Sequence, residues 1–125
     1  MSEARGTILV VDDQDDERTI QRAMLTHLGY AVREAADGAA AIAAATADPP
    51  DLVVLDVAMP RMDGFAVCRA LRADPRTAGI PVLFFTASVV GDMEGPAREA
   101  GGQGVLEKPV DPRRVAAEVG RILGG

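Results

Sequence analysis

Apolar residues fall in short unbroken runs, separated by stretches in which they recur every three or four positions. The runs are Thr7-Ile8-Leu9-Val10-Val11, Leu52-Val53-Val54-Leu55, Ile80-Pro81-Val82-Leu83-Phe84-Phe85, the weaker Ala31-Val32-Arg33-Glu34 and the short Gly104-Val105-Leu106-Glu107. Runs of this length, bounded by turn residues, read as buried strands. Between them the pattern is helical. Residues 15–28 place Ile20, Ala23, Met24 and Leu28 on one predicted inner face, and Gly29 stops the helix. An alanine-rich helix over 38–46 is broken by Asp48-Pro49-Pro50, and another is predicted over 65–73. The last helix has Asp111 as N-cap, Pro112 at its first position, and Val115, Val119, Ile122 and Leu123 inside. Five strand–helix units predict an α/β fold, with one parallel sheet and helices on both faces. No linker or repeat divides residues 1–125, so a single domain is expected.

Composition narrows the classes without naming one. Apolar residues make up 48% of the 125, ordinary for a packed domain. No run approaches the ~20 apolar residues of a membrane helix. The first six residues lack the apolar stretch of a signal peptide. Cys68 is the only cysteine, which fits a reducing cytoplasm. A net charge of −6 argues against direct nucleic-acid binding, which needs lysine and arginine. With no Trp, one Tyr and three Phe, stacking platforms are scarce.

The chemistry sits where the strands end. Asp12-Asp13 ends the first, Asp56 the third, Thr86 the fourth and Lys108 the fifth. In a parallel sheet these ends share one edge, where ligands of open α/β folds bind. Three carboxylates crowded together repel unless a cation compensates. Oxygen donors favour a hard cation such as Mg²⁺, which readily bridges to phosphate. With Lys108 as a second positive charge and Thr86 as a donor, this is the inventory of phosphoryl transfer. Asp15, Asp16 and Glu17 are read instead as first-turn helix acids. His27 is read as a last-turn residue and Cys68 as inert packing.

In four segments, Asp12-Asp13, Asp56-Val57-Ala58-Met59-Pro60-Arg61-Met62-Asp63-Gly64, Thr86-Ala87 and Lys108-Pro109, the chain resembles the receiver domains of two-component response regulators, chemotaxis regulators included. The resemblance covers nearly the whole chain. It implies a flavodoxin-like, doubly wound (βα)5 fold with strand order 2-1-3-4-5. It implies that Asp56 is the phosphoacceptor, and that Asp13, Asp56 and the Ala58 carbonyl bind Mg²⁺ (or Mn²⁺), with Asp12 acting through a metal-bound water. It also implies that Lys108 pairs with a phosphoryl oxygen or with Asp56, that Thr86 is the switch hydroxyl, and that the Lys108-Pro109 bond is cis. The implied partners are a sensor histidine kinase or phosphotransfer protein and a downstream protein, with no membrane. The chemistry is then that of a regulatory phosphoacceptor that at most phosphorylates and dephosphorylates itself, not of a turnover enzyme. No effector domain is recognisable, so a stand-alone receiver or a piece of a longer regulator or hybrid kinase is expected.

The chain departs from that pattern in places. Val105 stands where the family often has an aromatic switch residue. Gly91, Gly95 and Pro96 fall in the expected fourth helix, over 89–100. Interior Pro costs ~3 kcal/mol and Gly ~1 kcal/mol. A helix that starts late, with Pro96 in its first turn, or a loosely ordered segment is therefore expected. It would carry a mobile, remodelled output face and an atypical partner or a homodimer through the fourth and fifth helices. Ala58 and Ser88, which flank the path of attacking water in the family, are small and uncharged. The rival readings are three. An aspartate-nucleophile phosphatase would need an acid where Ala58 stands. An FMN carrier would need a phosphate-cradling first loop. A pseudo-receiver would serve as an interaction module without phosphorylation.

Overall fold

The computed structural model describes residues 5–87 and 93–124. Five parallel strands form one sheet in the order β2-β1-β3-β4-β5: β1 (Thr7–Val11), β2 (Ala31–Ala35), β3 (Leu52–Asp56), β4 (Val82–Thr86) and β5 (Gly104–Glu107). The helices between and after them are α1 (Asp15–His27), α2 (Gly38–Ala47), α3 (Gly64–Ala73), α4 (Glu94–Glu99) and α5 (Pro112–Leu123). This is the doubly wound arrangement that the hydrophobic pattern and the resemblance predicted. Among the described residues no helix is long and apolar enough to cross a membrane.

Alternation along the strands sorts the core into two layers. Leu9, Val11, Val53, Leu55, Val82 and Phe84 face α2, α3 and α4, whose Ala41, Ala45, Val67, Cys68 and Ala97 are buried against them. Ile8, Val10, Leu52, Val54, Leu83 and Phe85 face the other way, toward Leu25 of α1 and Val115 and Val119 of α5. The central strands β3 and β4 are buried along their whole length, which is why they read as continuous apolar runs.

Two local expectations change. The inner face of α1 is Gln21 and Leu25, flanked by half-buried Met24 and Leu28, whereas Ile20 is 58% exposed and Ala23 is exposed. These four inner positions are themselves an i, i+3, i+4, i+7 set, rotated from the predicted stripe because a polar residue occupies one of them. The fourth strand begins at Val82 rather than Ile80. Pro81 has no N–H for the ladder, although its carbonyl accepts from Val53 N at 3.0 Å. Helix α4 starts late, with Pro96 its third residue, as the breakers predicted. Ser88, Val89 and Gly91, on which further expectations rest, lie outside the described residues. Helix α5 has Asp111 as N-cap, its side chain accepting from Arg113 N, and Pro112 follows as expected.

Candidate functional site

Asp12 follows β1, Asp56 closes β3, Thr86 closes β4 and Lys108 follows β5, so parallel pairing brings all four to one edge of the sheet. Asp12, Asp56 and Thr86 are buried, Lys108 is half-buried and Asp13 is exposed. One carboxylate oxygen from each of Asp12, Asp13 and Asp56 lies within 4.8 Å of the other two. An all-oxygen donor set of this span fits a hard divalent cation.

Lys108 Nζ donates to Asp12 Oδ2 at 2.7 Å and lies 3.6 Å from Asp56 Oδ1. Lys108 thus forms the ion pair with Asp56 that the resemblance implied, and a closer, hydrogen-bonded one with Asp12. The reason for the closer pair is burial. Asp12 is 0% exposed, so leaving its charge unpaired would cost the most. Burial by itself works against the Lys108 ammonium, but the bond to Asp12 and the charge of Asp56 outweigh it and raise its pKa. For Asp56 the balance is reversed. Desolvation pushes its carboxyl from 3.8 up to about 6, with repulsion from Asp12 and Asp13 adding and Lys108 and the Ala58 N–H opposing. At neutral pH Asp56 is thus an ionised but destabilised carboxylate. A divalent cation would relieve that destabilisation.

Local backbone structure holds these groups in place. Gly64 N donates to Val57 O at 2.8 Å, and a Cβ on Gly64 would stand 2.4 Å from the Asp56 carbonyl, so only glycine lets α3 start so close to β3. Asp63 caps α3 by accepting from Ala66 N at 2.8 Å. Between them Arg61 has φ 68°, in a turn closed by Met62 N to Pro60 O at 2.8 Å. Lys108 N donates to Thr86 O at 2.8 Å, which ties the lysine loop to the end of β4, and the Lys108-Pro109 bond is cis as expected.

The sequence reading missed three groups around Asp12. Gln14 N donates to Asp12 Oδ1 at 3.0 Å, Arg18 Nη1 to the Asp12 carbonyl at 2.7 Å, and Gln21 Nε2 to Asp12 Oδ2 at 3.3 Å. Arg18 also bonds Glu34 and Asp15. Gln21 Oε1 is buried and has no hydrogen-bond partner among the described residues. Such an acceptor costs about 1–3 kcal/mol. Helical spacing sets Gln21 in line with Leu25 on the inner face, but nothing local in the sequence shows that it faces a buried carboxylate.

Cys68 and His27 lie where the sequence places them, one in the core and one in the last turn of α1. Cys68 is fully buried, and burial raises its thiol pKa. His27 is exposed in the last turn of α1. Val105 is half-buried against the Phe84 side of the core. Beside it a groove of about 530 Å³ runs past Thr86, Met93, Pro109 and Arg114.

The profile of the response regulator receiver domain matches residues 8–120. The response regulator PleD of Caulobacter vibrioides is 44% identical over 112 residues, which are 90% of this chain and 25% of PleD. The chain spans about a quarter to a half of the length of the curated relatives it matches. The chemotaxis protein CheY4 of Vibrio cholerae superimposes with a TM-score of 0.88 at 31% identity, covering 98% of this chain and 100% of CheY4. The receiver domain of the sensor histidine kinase PA1611 of Pseudomonas aeruginosa also gives 0.88, at 30% identity, with 98% of this chain and 100% of that one covered. That structure holds a magnesium ion in its active-site cleft. Fold, strand-edge cluster and likeness agree: the chain belongs to the receiver-domain family of two-component response regulators.

Proposed function

We propose that Asp56 accepts a phosphoryl group from a phosphohistidine of a sensor histidine kinase or phosphotransfer protein, in a Mg²⁺-dependent reaction. The observation that carries this reading is the meeting of three carboxylates from the ends of two strands, β1 and β3, with Lys108 on two of them. The magnesium ion in the cleft of the PA1611 receiver supports the choice of cation. Oxygens of Asp12, Asp13 and Asp56, with the Ala58 carbonyl, would hold it, Asp12 through a bound water. When bound, it neutralises charge on the phosphoryl oxygens.

The chain's own residues do the rest. An oxygen of Asp56 forms a bond to phosphorus as the phosphorus–nitrogen bond to the imidazole breaks. The bonding electrons remain on that nitrogen, which takes a proton from water. Lys108 then has a phosphoryl oxygen to pair with, and Thr86, at the end of the neighbouring strand, donates its hydroxyl to another. Water attack on phosphorus later releases inorganic phosphate and returns the Asp56 carboxylate. Ala58, exposed beside Asp56, carries no acid that could protonate a leaving group, so turnover on an outside substrate lacks its proton donor. The domain is thus read as a switch, working in the cytoplasm on a downstream protein, rather than as a phosphatase.

Acetyl phosphate with Mg²⁺ provides the test. Intact mass should rise by one phosphate in the wild type and not in Asp56→Asn, and chelation of the metal should abolish the gain. A gain that survives Asp56→Asn would refute the assignment.

A further inference from the structure

Asp12 Oδ2 has two lone pairs and two donors, Lys108 Nζ at 2.7 Å and Gln21 Nε2 at 3.3 Å. Among the described residues Asp12 Oδ1 accepts from Gln14 N alone, at 3.0 Å. Gln21 is 3% exposed and its amide has one workable orientation, because turning the carbonyl toward a carboxylate would set two acceptors together. That orientation leaves Oε1 buried without a partner among the described residues. A methionine or leucine would fill the same space with no orphaned acceptor. Core packing alone therefore does not account for a glutamine here.

We infer that Gln21 is a positioning residue for Lys108. It holds the buried Asp12 oxygen whenever the lysine leaves. Lys108 is bonded to Asp12 in this structure, yet the proposed reaction needs its charge on the phosphoryl group. Leaving a fully buried carboxylate oxygen with no donor would hold the lysine back. Gln21 supplies a second donor from a separate element, α1, so Lys108 moves away without orphaning Asp12. This inference rests on the phosphoacceptor reading of Asp56.

The test compares Gln21→Met and Gln21→Leu with the wild type and with Asp56→Asn. Three quantities are measured: the rate of phosphate-mass gain from acetyl phosphate, the Mg²⁺ dissociation constant by calorimetry, and the thermal midpoint. Both Gln21 variants should gain phosphate about 5- to 10-fold more slowly. Their Mg²⁺ dissociation constants should stay within about twofold of the wild type, since Oδ1 keeps its Gln14 donor. Their midpoints should equal or exceed that of the wild type, because the orphaned acceptor is gone. An unchanged rate would overturn the inference. So would Mg²⁺ binding that weakens in step with the rate, or a lowered midpoint in both variants, since either marks a metal-holding or merely structural role. Failure of the wild type itself to gain phosphate would instead defeat the reading of Asp56, and this inference with it.

Discussion

Gly64 shows how little freedom the site leaves a single residue. Its missing Cβ is the space in which the Asp56 carbonyl sits, 2.4 Å from where that carbon would be, with Val57 Cα at 3.0 Å. Both obstacles are backbone, so no rotamer change relieves the clash. Alanine must push α3 away from β3 or twist the end of β3, and either movement displaces the Asp56 carboxylate. Gly64→Ala should therefore cost about 2–4 kcal/mol of stability. It should also weaken Mg²⁺ binding, measurable by denaturant unfolding and calorimetry. The sequence identifies Asp63-Gly64 only as a turn with a cap. That the glycine is also required for close approach depends on the distance between two elements, which the local pattern does not carry. The same limit applies to Gln21: a glutamine on a helix reads as solvent-facing until a buried carboxylate is found beside it.

At the scale of elements, the strands were the most legible parts, because burial on both faces leaves unbroken apolar runs ended by polar residues. Helix α1 was legible in extent but not in rotation, since its inner face includes the polar Gln21. Helix α4 was legible through its breakers, and its shortness raises the question of what holds it. Part of the answer is Arg72, at the end of α3. It donates to Ile80 O at 2.6 Å, twice to Gly101 O at 3.1 and 2.7 Å, and more weakly to Gln103 Oε1 at 3.4 Å. These bonds fasten the loop between α4 and β5, where Gly101 has φ 98°. Gln103 in turn pairs with both the N–H and the carbonyl of Val82. Hydrogen bonds from a charged donor contribute roughly 1.5–3 kcal/mol each before coupling, so Arg72→Met should destabilise the fold by about 2–4 kcal/mol. Hydrogen exchange should rise first in the α4–β5 loop. The cluster of Asp12, Asp13 and Asp56 lies at the opposite ends of the strands, so Mg²⁺ affinity should stay within about twofold of the wild type.

For the whole molecule, the carboxylate cluster couples stability to pH and metal. The folded state raises the Asp56 pKa from 3.8 to about 6. Between those values the folded protein binds more protons than the unfolded chain, so the contribution of this group falls as pH rises through that window and stays low above it. A shift of that size corresponds to at most roughly 3 kcal/mol. In chelator, the difference in unfolding free energy between Asp56→Asn and the wild type should therefore be small near pH 4. It should widen up to pH 6 and level off above, with the variant the more stable at pH 7.5. Mg²⁺ at a hundredfold excess over its dissociation constant adds about 2.7 kcal/mol to a protein that binds it only when folded. At neutral pH the metal should thus offset most of the penalty in the wild type and do much less for Asp56→Asn. Denaturant titrations at four pH values, with and without Mg²⁺, measure both effects. A pH-independent difference between the two proteins would mean that Asp56 is not the group whose ionisation the fold resists.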